Sequence, residues 1–276
     1  MPMADVGRKV AIALDLASDP ASPLRLGAEL AQMLGAPVLL ATVLDDERKR
    51  DELLALGRSV DGMPVSDALV LPSASPARAL QELTERGDIA AIVVGSTARE
   101  RRRRILAGSV VQRLVSGAAC PVAVAPHGYD DARPAPPVVG VAFDASPESV
   151  HALEAGSALA RRAGAALRVI TANPLWMVDE LPDPRREALA GRAEIELRAA
   201  HDAAVVAHGG ESVFVAGEGA QVLVEHSADL ALLVTGSRGY GPLGAVLVGS
   251  TTSELLRSAA CPLLILPRGR DLLPSG

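Results

Sequence analysis

The sequence predicts an α/β fold made of two tandem, doubly wound (Rossmann-like) domains, each a five-stranded parallel sheet with helices on both faces. The first observation is a repeat, since residues 88–126 align without gaps on 229–267, at an offset of 141. Second, short β-branched runs alternate with helical patterns within each repeat, as in strands joined by crossover helices. Third, these runs are continuously apolar, which indicates strands covered on both faces.

The second repeat allows its elements to be placed along the chain. A capping hydroxyl at Ser146, a proline at the first helical position and an early acid at Glu148 favour a helix start there. We expect helices at 147–163, 184–208, 219–227 and 245–258, and strands near 137–143, 166–171, 212–216, 230–235 and 262–266. The domains are expected at 1–127 and 137–270, joined by the Pro-rich, charged and semi-rigid linker 127–137.

The composition narrows the classes of function. The net charge is −6 over 276 residues, with only two Phe, two Tyr and one Trp, which argues against a nucleic-acid partner. No apolar run has the length of a membrane span, and the first residues lack the basic head and cleavage site of a signal peptide. We therefore expect a cytoplasmic protein with no membrane partner.

The segment 236–250, GSRGYGPLGAVLVGS, contains three overlapping glycine patterns. Gly239, Gly241 and Gly244 have the spacing of a dinucleotide fingerprint, but they follow the fourth strand of their unit instead of the first. The P-loop spacings in the segment lack the lysine that this motif needs before its Ser or Thr. Both of these patterns are therefore interpreted as chance spacing in a Gly-rich loop.

The third pattern is G-x2-G-x9-G-S, formed by Gly236, Gly239, Gly249 and Ser250. Gly236 ends a strand, and Gly239 lets the loop fold tightly and bring its backbone close to a ligand. Gly249 and Ser250 are expected on one side of the following helix, where N–H groups and a hydroxyl can point at phosphate oxygens. Since main-chain donors can hold a phosphate without lysine, this pattern predicts a phosphate site, and the alternative is a tight loop with a helix cap.

Three features together resemble the universal stress protein family in its tandem two-domain form. They are the aspartate that ends the first strand, the G-x2-G-x9-G-S/T signature and the Cys-Pro pair that enters the fifth strand. The resemblance covers nearly the whole chain. It implies the ATP-binding branch of the family, because the other branch lacks the glycine signature and does not hold nucleotide.

For the second domain the resemblance implies a site for ATP or another adenine nucleotide, with Mg²⁺ as a further ligand. Asp144 would meet the ribose or the Mg²⁺, with Ser146 beside it, and Thr171 and Ala172 would approach the adenine through backbone atoms. Whether ATP, AMP or a cyclic nucleotide is preferred stays open. The phosphates would be surrounded by Gly236, Arg238, Gly239, Gly249, Ser250 and Thr251.

The first domain departs from this pattern. Ala98 stands in place of the second glycine, and Ala17 stands where the second domain has Ser146. An alanine forced into positive φ costs about 1 kcal/mol, equivalent to about fivefold in affinity. We therefore expect a weaker site, formed by Asp15, Thr42, Val43, Gly95, Ala98, Gly108 and Ser109.

Two further features each keep two interpretations. Arg99 and the arginine run 101–104 of the first domain either clasp a triphosphate or form a solvated loop. Trp176, the only indole, either covers the nucleotide or a partner, or serves as a packing anchor.

No catalytic residue is expected. Of the histidines at 127, 151, 201, 208 and 226, the first lies in the linker and the others on predicted helices, where we expect exposed side chains instead of general bases. Asp144 has no evident water-positioning partner, so any ATP hydrolysis should be slow. The leading hypothesis is a stress-response regulator whose nucleotide state biases its interaction with an unknown protein. The alternatives are a nucleotide-independent interaction or dimerisation module and a slow ATPase.

The resemblance also implies how the two domains meet. In the family the fifth strands of two units pair antiparallel across a two-fold axis, and PVAVAP and PLLILP are short, proline-bounded runs suited to such an edge. We expect a pseudo-dimer within one chain, and a dimer of chains is left open. Cys120 and Cys261 would lie at opposite ends of that ladder, which excludes a disulfide between them.

Overall fold

The computed structural model describes residues 8–96, 105, 107–129, 136–173, 184–237 and 249–272, with the backbone alone for 184–188. The first half of the chain alternates strands and helices in the predicted way. Its elements are β1 (Lys9–Ala13), α1 (Ala21–Leu34), β2 (Val38–Thr42), α2 (Lys49–Arg58), β3 (Val65–Val70), α3 (Pro76–Thr84), β4 (Ile89–Gly95), α4 (Ser109–Gly117) and β5 (Val122–Ala125).

The second half repeats this order. Its elements are β6 (Val138–Ala142), α5 (Pro147–Ala163), β7 (Ala166–Asn173), α6 (Pro184–His208), β8 (Glu211–Ala216), α7 (Gly219–Ser227), β9 (Leu232–Gly236), α8 (Ser250–Ser258) and β10 (Leu263–Leu266). The predicted bounds of α5, α6 and α7 are confirmed to the residue. The predicted start of the last helix, at 245, is wrong: Gly249 has an extended conformation (φ −59°, ψ 155°) and is the N-cap of α8.

The strands form a single ten-stranded sheet in the order β3-β2-β1-β4-β5-β10-β9-β6-β7-β8. Neighbouring strands within each half run parallel, as the doubly wound fold requires. The halves are joined where β5 and β10 pair antiparallel, with Leu264 opposite Ala123. The expected pairing of fifth strands within one chain is therefore confirmed.

Helices cover both faces of this sheet because successive strand residues point to opposite sides. Val10 and Ile12 of β1 belong to one apolar core and Ala11 and Ala13 to the other. The first core packs against α1, α2, α5 and α6, and the second against α3, α4, α7 and α8. Since the chain order reverses between β1 and β4, and between β6 and β9, the strand ends there open as crevices.

The two cysteines are free and buried, one at the start of each fifth strand. The antiparallel pairing of β5 with β10 places Cys120 and Cys261 at opposite ends of the ladder, as expected. Burial raises the pKa of the Cys120 thiol to about 12, and burial raises the pKa of the Cys261 thiol further. Both side chains therefore act as small apolar groups in the core.

The linker begins as part of the packed structure. The N–H of His127 donates to Ser96 Oγ at 2.9 Å, and the Tyr129 hydroxyl donates to Glu29 Oε2 of α1 at 2.8 Å. Residues 130–135 of the predicted linker lie outside the described residues. None of the helices in the described part of the chain is both long and apolar enough to cross a membrane.

Candidate functional site

A pocket of about 360 Å³ opens at the carboxyl ends of β6, β7 and β9, beside the N-terminus of α8. This is the edge at which a doubly wound sheet holds its ligands. Seven of the residues predicted for the second-domain site meet here: Asp144, Ser146, Ala172, Gly236, Gly249, Ser250 and Thr251. The remaining lining residues are Ala142, Phe143, Glu148, Ser149, Ile170, Leu197, Gly219, Leu223, Thr235 and Thr252.

The loop after β6 is held by its own polar groups. Asp144 Oδ1 accepts hydrogen bonds from the N–H of Ser146, at 3.1 Å, and from the Ser146 hydroxyl. The Ser146 oxygen in turn accepts from the N–H of Ser149 at 3.2 Å, which caps α5 as the sequence predicts. Between them Ala145 has a φ of 60°, a left-handed conformation that costs an alanine about 1 kcal/mol. The side-chain bonds of Asp144 and Ser146 hold this turn, and with it the position of both side chains in the pocket.

Gly236 ends β9 where the strand passes directly under the first turn of α5. A Cβ at this position would lie 2.7 Å from the carbonyl oxygen of Glu148 and 2.8 Å from its Cβ. The Glu148 carboxylate is itself paired with Arg268, at 3.3 Å, and its side chain is 16% exposed. Only glycine therefore lets this strand end approach α5 so closely.

The third wall is the first turn of α8. Gly249 is its N-cap, Ser250 is exposed and Thr252 is buried. The first N–H groups of a helix have no acceptor within the helix, so the first turn of α8 favours an anionic ligand group at this wall. Arg238 and Gly239, which were also predicted for the phosphate site, lie outside the described residues, as does Trp176.

The walls of the pocket differ in chemistry. The apolar surface comes from β7, α6 and α7, through Ile170, Ala172, Leu197 and Leu223. Hydroxyl and main-chain groups of the β6 loop and of α8 supply the polar side. Among the described lining residues, the ionisable side chains are Asp144 and Glu148, both acidic. The pocket can therefore take a flat apolar ring on one side, while an anionic group fits only near the N-terminus of α8 or with a cation.

Thr171 is placed differently from the other predicted residues. Its side chain is fully buried and is not part of the pocket lining. Its hydroxyl donates to the carbonyl oxygen of Phe143 at 2.9 Å and lies 2.8 Å from Nδ1 of His201. Thr171 thus ties β7 to β6 and α6 from behind the pocket.

The expectation of an exposed His201 is wrong, since its side chain is 0% exposed. His201 lies on the face of α6 that also packs Ala200, Ala204 and Val205 against the core. The sequence conceals this face, because α6 carries apolar residues all round, including exposed Ile195 and Val206. Leu197, one turn earlier on α6, lines the pocket, and the sequence does not predict this because it does not show which face of α6 is buried.

The corresponding loop of the first half is built differently. Asp15 Oδ1 accepts from the N–H of Ala17, but its Oδ2 accepts from the hydroxyl of Ser18, at 2.8 Å. Helix α1 begins at Ala21, six residues after Asp15; its N-cap Pro20 makes no side-chain capping bond, and Asp19 Oδ1 accepts from the N–H of Ala21 at 3.0 Å. In the second half α5 begins three residues after Asp144. Without a hydroxyl at position 17, the first half therefore starts its helix about one turn later.

Five further residues predicted for the first-half site lie in the described part of the chain: Thr42, Val43, Gly95, Gly108 and Ser109. Thr42 is buried and its hydroxyl donates to Leu14 O at 2.9 Å, and partly exposed Val43 follows it. Gly95 ends β4, and the atom nearest to a Cβ there would be Pro23 Cγ, at 3.4 Å. Gly108 is the N-cap of α4, and Ser109 begins that helix in an exposed position. Ala98, Arg99 and 101–104 lie outside the described residues.

The chain just before Gly108 is bound to the other half. The N–H groups of Ile105 and Ala107 donate to the carbonyl oxygens of Ala259 and Leu256, both at 2.8 Å. Ile105 is fully buried in the core that spans the two halves. The signature loop of the first half thus ends on the C-terminal turn of α8, the helix whose N-terminus lines the pocket.

Residues 7–126 and, again, 137–267 match the model of the universal stress protein family. The chain belongs to this family. A universal stress protein of Mycobacterium tuberculosis is 34% identical over 203 residues, covering 69% of this chain and 65% of the relative. A second one from the same organism is 28% identical over 197 residues, covering 68% of each chain. The chain therefore spans less than two thirds of the length of the first relative.

Solved structures share the fold over nearly the full length of this universal stress protein. A protein of unknown function from Pseudomonas aeruginosa gives a TM-score of 0.71 at 20% identity, covering 94% of this chain and 92% of that one. A universal stress protein from Archaeoglobus fulgidus gives 0.65 at 20% identity, covering 95% and 98%. At these identities the likeness establishes the tandem α/β architecture.

Proposed function

We propose that the second half of the chain binds an adenine nucleotide, preferably ATP, and that the bound nucleotide controls an interaction with a protein partner in the stress response. The observation that carries the proposal is the close approach of Gly236 to α5 beside the N-terminus of α8. Together they form a main-chain cradle on the polar side of a pocket whose opposite wall is apolar. The domain division at 1–127 and 137–270 and a cytoplasmic location belong to the same proposal, and free, buried thiols fit a reducing compartment.

The size and chemistry of the pocket support this ligand class. A volume of about 360 Å³ lies within the usual range of small-molecule sites. The base would lie against Ile170, Ala172 and Leu197, and the ribose would face Asp144. The phosphates would then reach the first turn of α8, where helix N–H groups and the Ser250 hydroxyl act as donors.

Mg²⁺ fits the same arrangement as a companion of the phosphates. Among the described residues there is no cluster of three or more His, Cys, Asp or Glu side chains that would hold a metal ion by itself. The carboxylate oxygens of Asp144 are hard donors of the kind that Mg²⁺ prefers, and their negative charge beside a polyphosphate calls for a cation, whereas Glu148 is already paired with Arg268. Bound there, Mg²⁺ would supply charge neutralisation at the phosphates.

The first half is proposed to bind the same ligand more weakly. It lacks the capping serine and the first helical turn that bring Glu148 against Gly236 in the second half. Its looser contact between Gly95 and Pro23 leaves the strand end less closely covered.

The test uses a matched pair of variants, Ser250→Asp and Ser109→Asp. Both serines are exposed first residues of the equivalent helices α8 and α4, where an acidic side chain favours the helix. Binding of ATP with Mg²⁺ is measured by calorimetry on the full chain. At Ser250 the new carboxylate would repel the phosphates at contact distance, so we expect the affinity for ATP to fall by about tenfold or more. Ser109→Asp should leave the tighter site unchanged.

The outcomes separate the proposal from its alternatives. If wild type and Ser250→Asp bind ATP with equal affinity, the phosphates do not bind at the N-terminus of α8. If calorimetry gives no heat with ATP, AMP or a cyclic nucleotide, and mass spectrometry finds no nucleotide in the purified protein, these two results together would favour a nucleotide-independent interaction module. ADP formation above a blank that is lost in Asp144→Ala would indicate the slow ATPase.

A further inference from the structure

His201 is the centre of a polar cluster behind the pocket, in which His201 and Thr171 are buried and Ser212 is exposed. Its Nδ1 lies 2.8 Å from Thr171 Oγ1 of β7, and its Nε2 lies 2.8 Å from Ser212 Oγ of β8. The single hydroxyl hydrogen of Thr171 is donated to Phe143 O, at 2.9 Å, so Thr171 Oγ1 accepts from Nδ1–H. Nε2 then accepts from the Ser212 hydroxyl. The neutral imidazole is thus satisfied on both sides.

The surroundings of the ring oppose a positive charge. The chain's two phenylalanines flank it, with ring centroids at 6.5 Å for Phe143 and 5.5 Å for Phe214. From β7 and β8 it meets the uncharged Thr171 and Ser212, and the charges that act on it come from α6. Burial lowers the pKa of His201, Asp202 opposes this, and Arg198, whose guanidinium lies 3.9 Å over the Phe214 ring, adds to it.

The groups around His201 belong to the pocket or adjoin it. Thr171 precedes Ala172 and Phe143 precedes Asp144, and Ala172, Phe143 and Asp144 all line the pocket. On α6, Leu197 lies one turn before His201 and forms part of the apolar wall. The position of that wall therefore depends on how α6 is fastened to β7 and β8.

The first half has no equivalent cluster. Leu40 pairs with Ala68 where Val169 pairs with Ser212, so Ala68 occupies the place of Ser212 and offers no hydroxyl. There is also no histidine before His127 in the sequence. Only the bond of Thr42 to Leu14 O, at 2.9 Å, is retained. The histidine cluster thus occurs in the half with the complete glycine signature.

We propose that His201 is a positioning residue for the nucleotide pocket: its neutral imidazole fastens α6 to β7 and β8 and holds Leu197 in the pocket wall, and protonation loosens that wall. This inference rests on the proposed function. The pKa of His201 is lower in the folded chain than in the unfolded one, where it is about 6.5. The neutral His201 therefore stabilises the fold above this pH, and its contribution is lost as the pH falls below it through the folded pKa. Nucleotide binding should weaken over the same interval.

The experiment compares wild type with His201→Asn and His208→Asn at pH 7.5 and 5.5. Asparagine is neutral at both pH values and its amide can replace Nδ1–H toward Thr171. His208, seven residues further on α6 and partly exposed, is the control. Two quantities are measured on the full chain: the affinity for ATP with Mg²⁺, and the hydrogen-exchange protection of α6 amides without nucleotide.

Between pH 7.5 and 5.5 we expect the affinity of wild type for ATP to fall by about threefold more than the affinity of His201→Asn. Because both proteins bind the same nucleotide, this comparison removes the effect of phosphate protonation. His208→Asn should follow wild type. Amide protection of α6 should fall on acidification in wild type and stay level in His201→Asn. If His201→Asn unfolds, Ser212→Ala serves instead, and its affinity should already be reduced at pH 7.5, because Nε2 loses its donor.

Each result decides the inference. Parallel pH profiles of affinity in wild type and His201→Asn, or α6 protection that does not respond to pH, would overturn it. If wild type binds no nucleotide at either pH, the proposed function fails, and the exchange data still show whether His201 fastens α6.

Discussion

Gly236 and Glu148 touch where β9 meets α5: a Cβ on Gly236 would lie 2.7 Å from the Glu148 carbonyl oxygen. The equivalent contact in the first half, between Gly95 and Pro23 Cγ, leaves 3.4 Å. The two halves thus share a glycine at this position, but only one half requires it for packing.

Gly236→Ala should therefore destabilise the protein by about 1–3 kcal/mol, because backbone atoms of α5 cannot move aside as a flexible side chain would. Gly95→Ala, its counterpart, should change the free energy of unfolding by less than about 0.5 kcal/mol. Urea unfolding followed by circular dichroism measures both. Equal losses in the two variants would contradict the close contact at Gly236.

Ser146→Ala should remove the cap of α5 and cost about 1 kcal/mol. It should also weaken ATP binding, because the first turn of α5, which carries Glu148, would unwind. Helix α5 would then begin about one turn later, as α1 does in the first half. Ser18→Ala removes a hydroxyl that bonds Asp15 but caps no helix. That control should be nearly neutral in urea unfolding, and a loss as large as that of Ser146→Ala would argue against a capping role.

The thiols of Cys120 and Cys261 should be inert in the folded protein. With burial raising the pKa of Cys120 to about 12, its thiolate fraction at pH 8 is roughly a thousandfold below that of a free cysteine. The expected result is no labelling by an aromatic disulfide reagent in native buffer and two labels per chain in denaturant. Rapid native labelling of either residue would show that its burial is incomplete.

The two halves should unfold together, because β5 and β10 belong to one sheet and both cores continue across it. Pulsed alkylation along a urea gradient, with mass spectrometry of the Cys120 and Cys261 peptides, reports each half separately. The two midpoints should coincide in wild type. In Leu233→Ala, which truncates a fully buried residue of the second half, both should shift to lower urea. A shift confined to Cys261 would mean independent halves.

The sequence predicts most of this fold because its periodic signals agree with one another. Helix α5 combines a capping serine, a proline at the first position and Gly164 in a left-handed C-cap (φ 61°), so both of its ends can be read directly. The start of α8 is harder to place, since Gly249 and Ser250 follow an apolar run, Ala-Val-Leu-Val, that also fits a helix. Local pattern decides where a helix can exist, and backbone conformation at a glycine decides where it begins.

The sequence predicts which strand ends form the candidate site, but it predicts only some of the side chains that line it. Asp144, Gly236 and Ser250 follow from the repeat and from the rule that parallel strands end at one edge. Leu197 and Glu148 do not, because their roles depend on how α6 and the first turn of α5 lie over that edge. Thr171 and His201 illustrate the same limit, since a hydroxyl and an imidazole on neighbouring elements form a pair only in three dimensions.

The antiparallel seam between β5 and β10 has a consequence for how such a chain can change over time. Two separate subunits that met along this edge would come apart on dilution, whereas covalently joined ones remain at a fixed, high effective concentration. Neither repeat then has to keep every feature of the other. One can drift away from ligand chemistry and persist as a scaffold for the other, so that tethering permits a division of labour inside a single polypeptide.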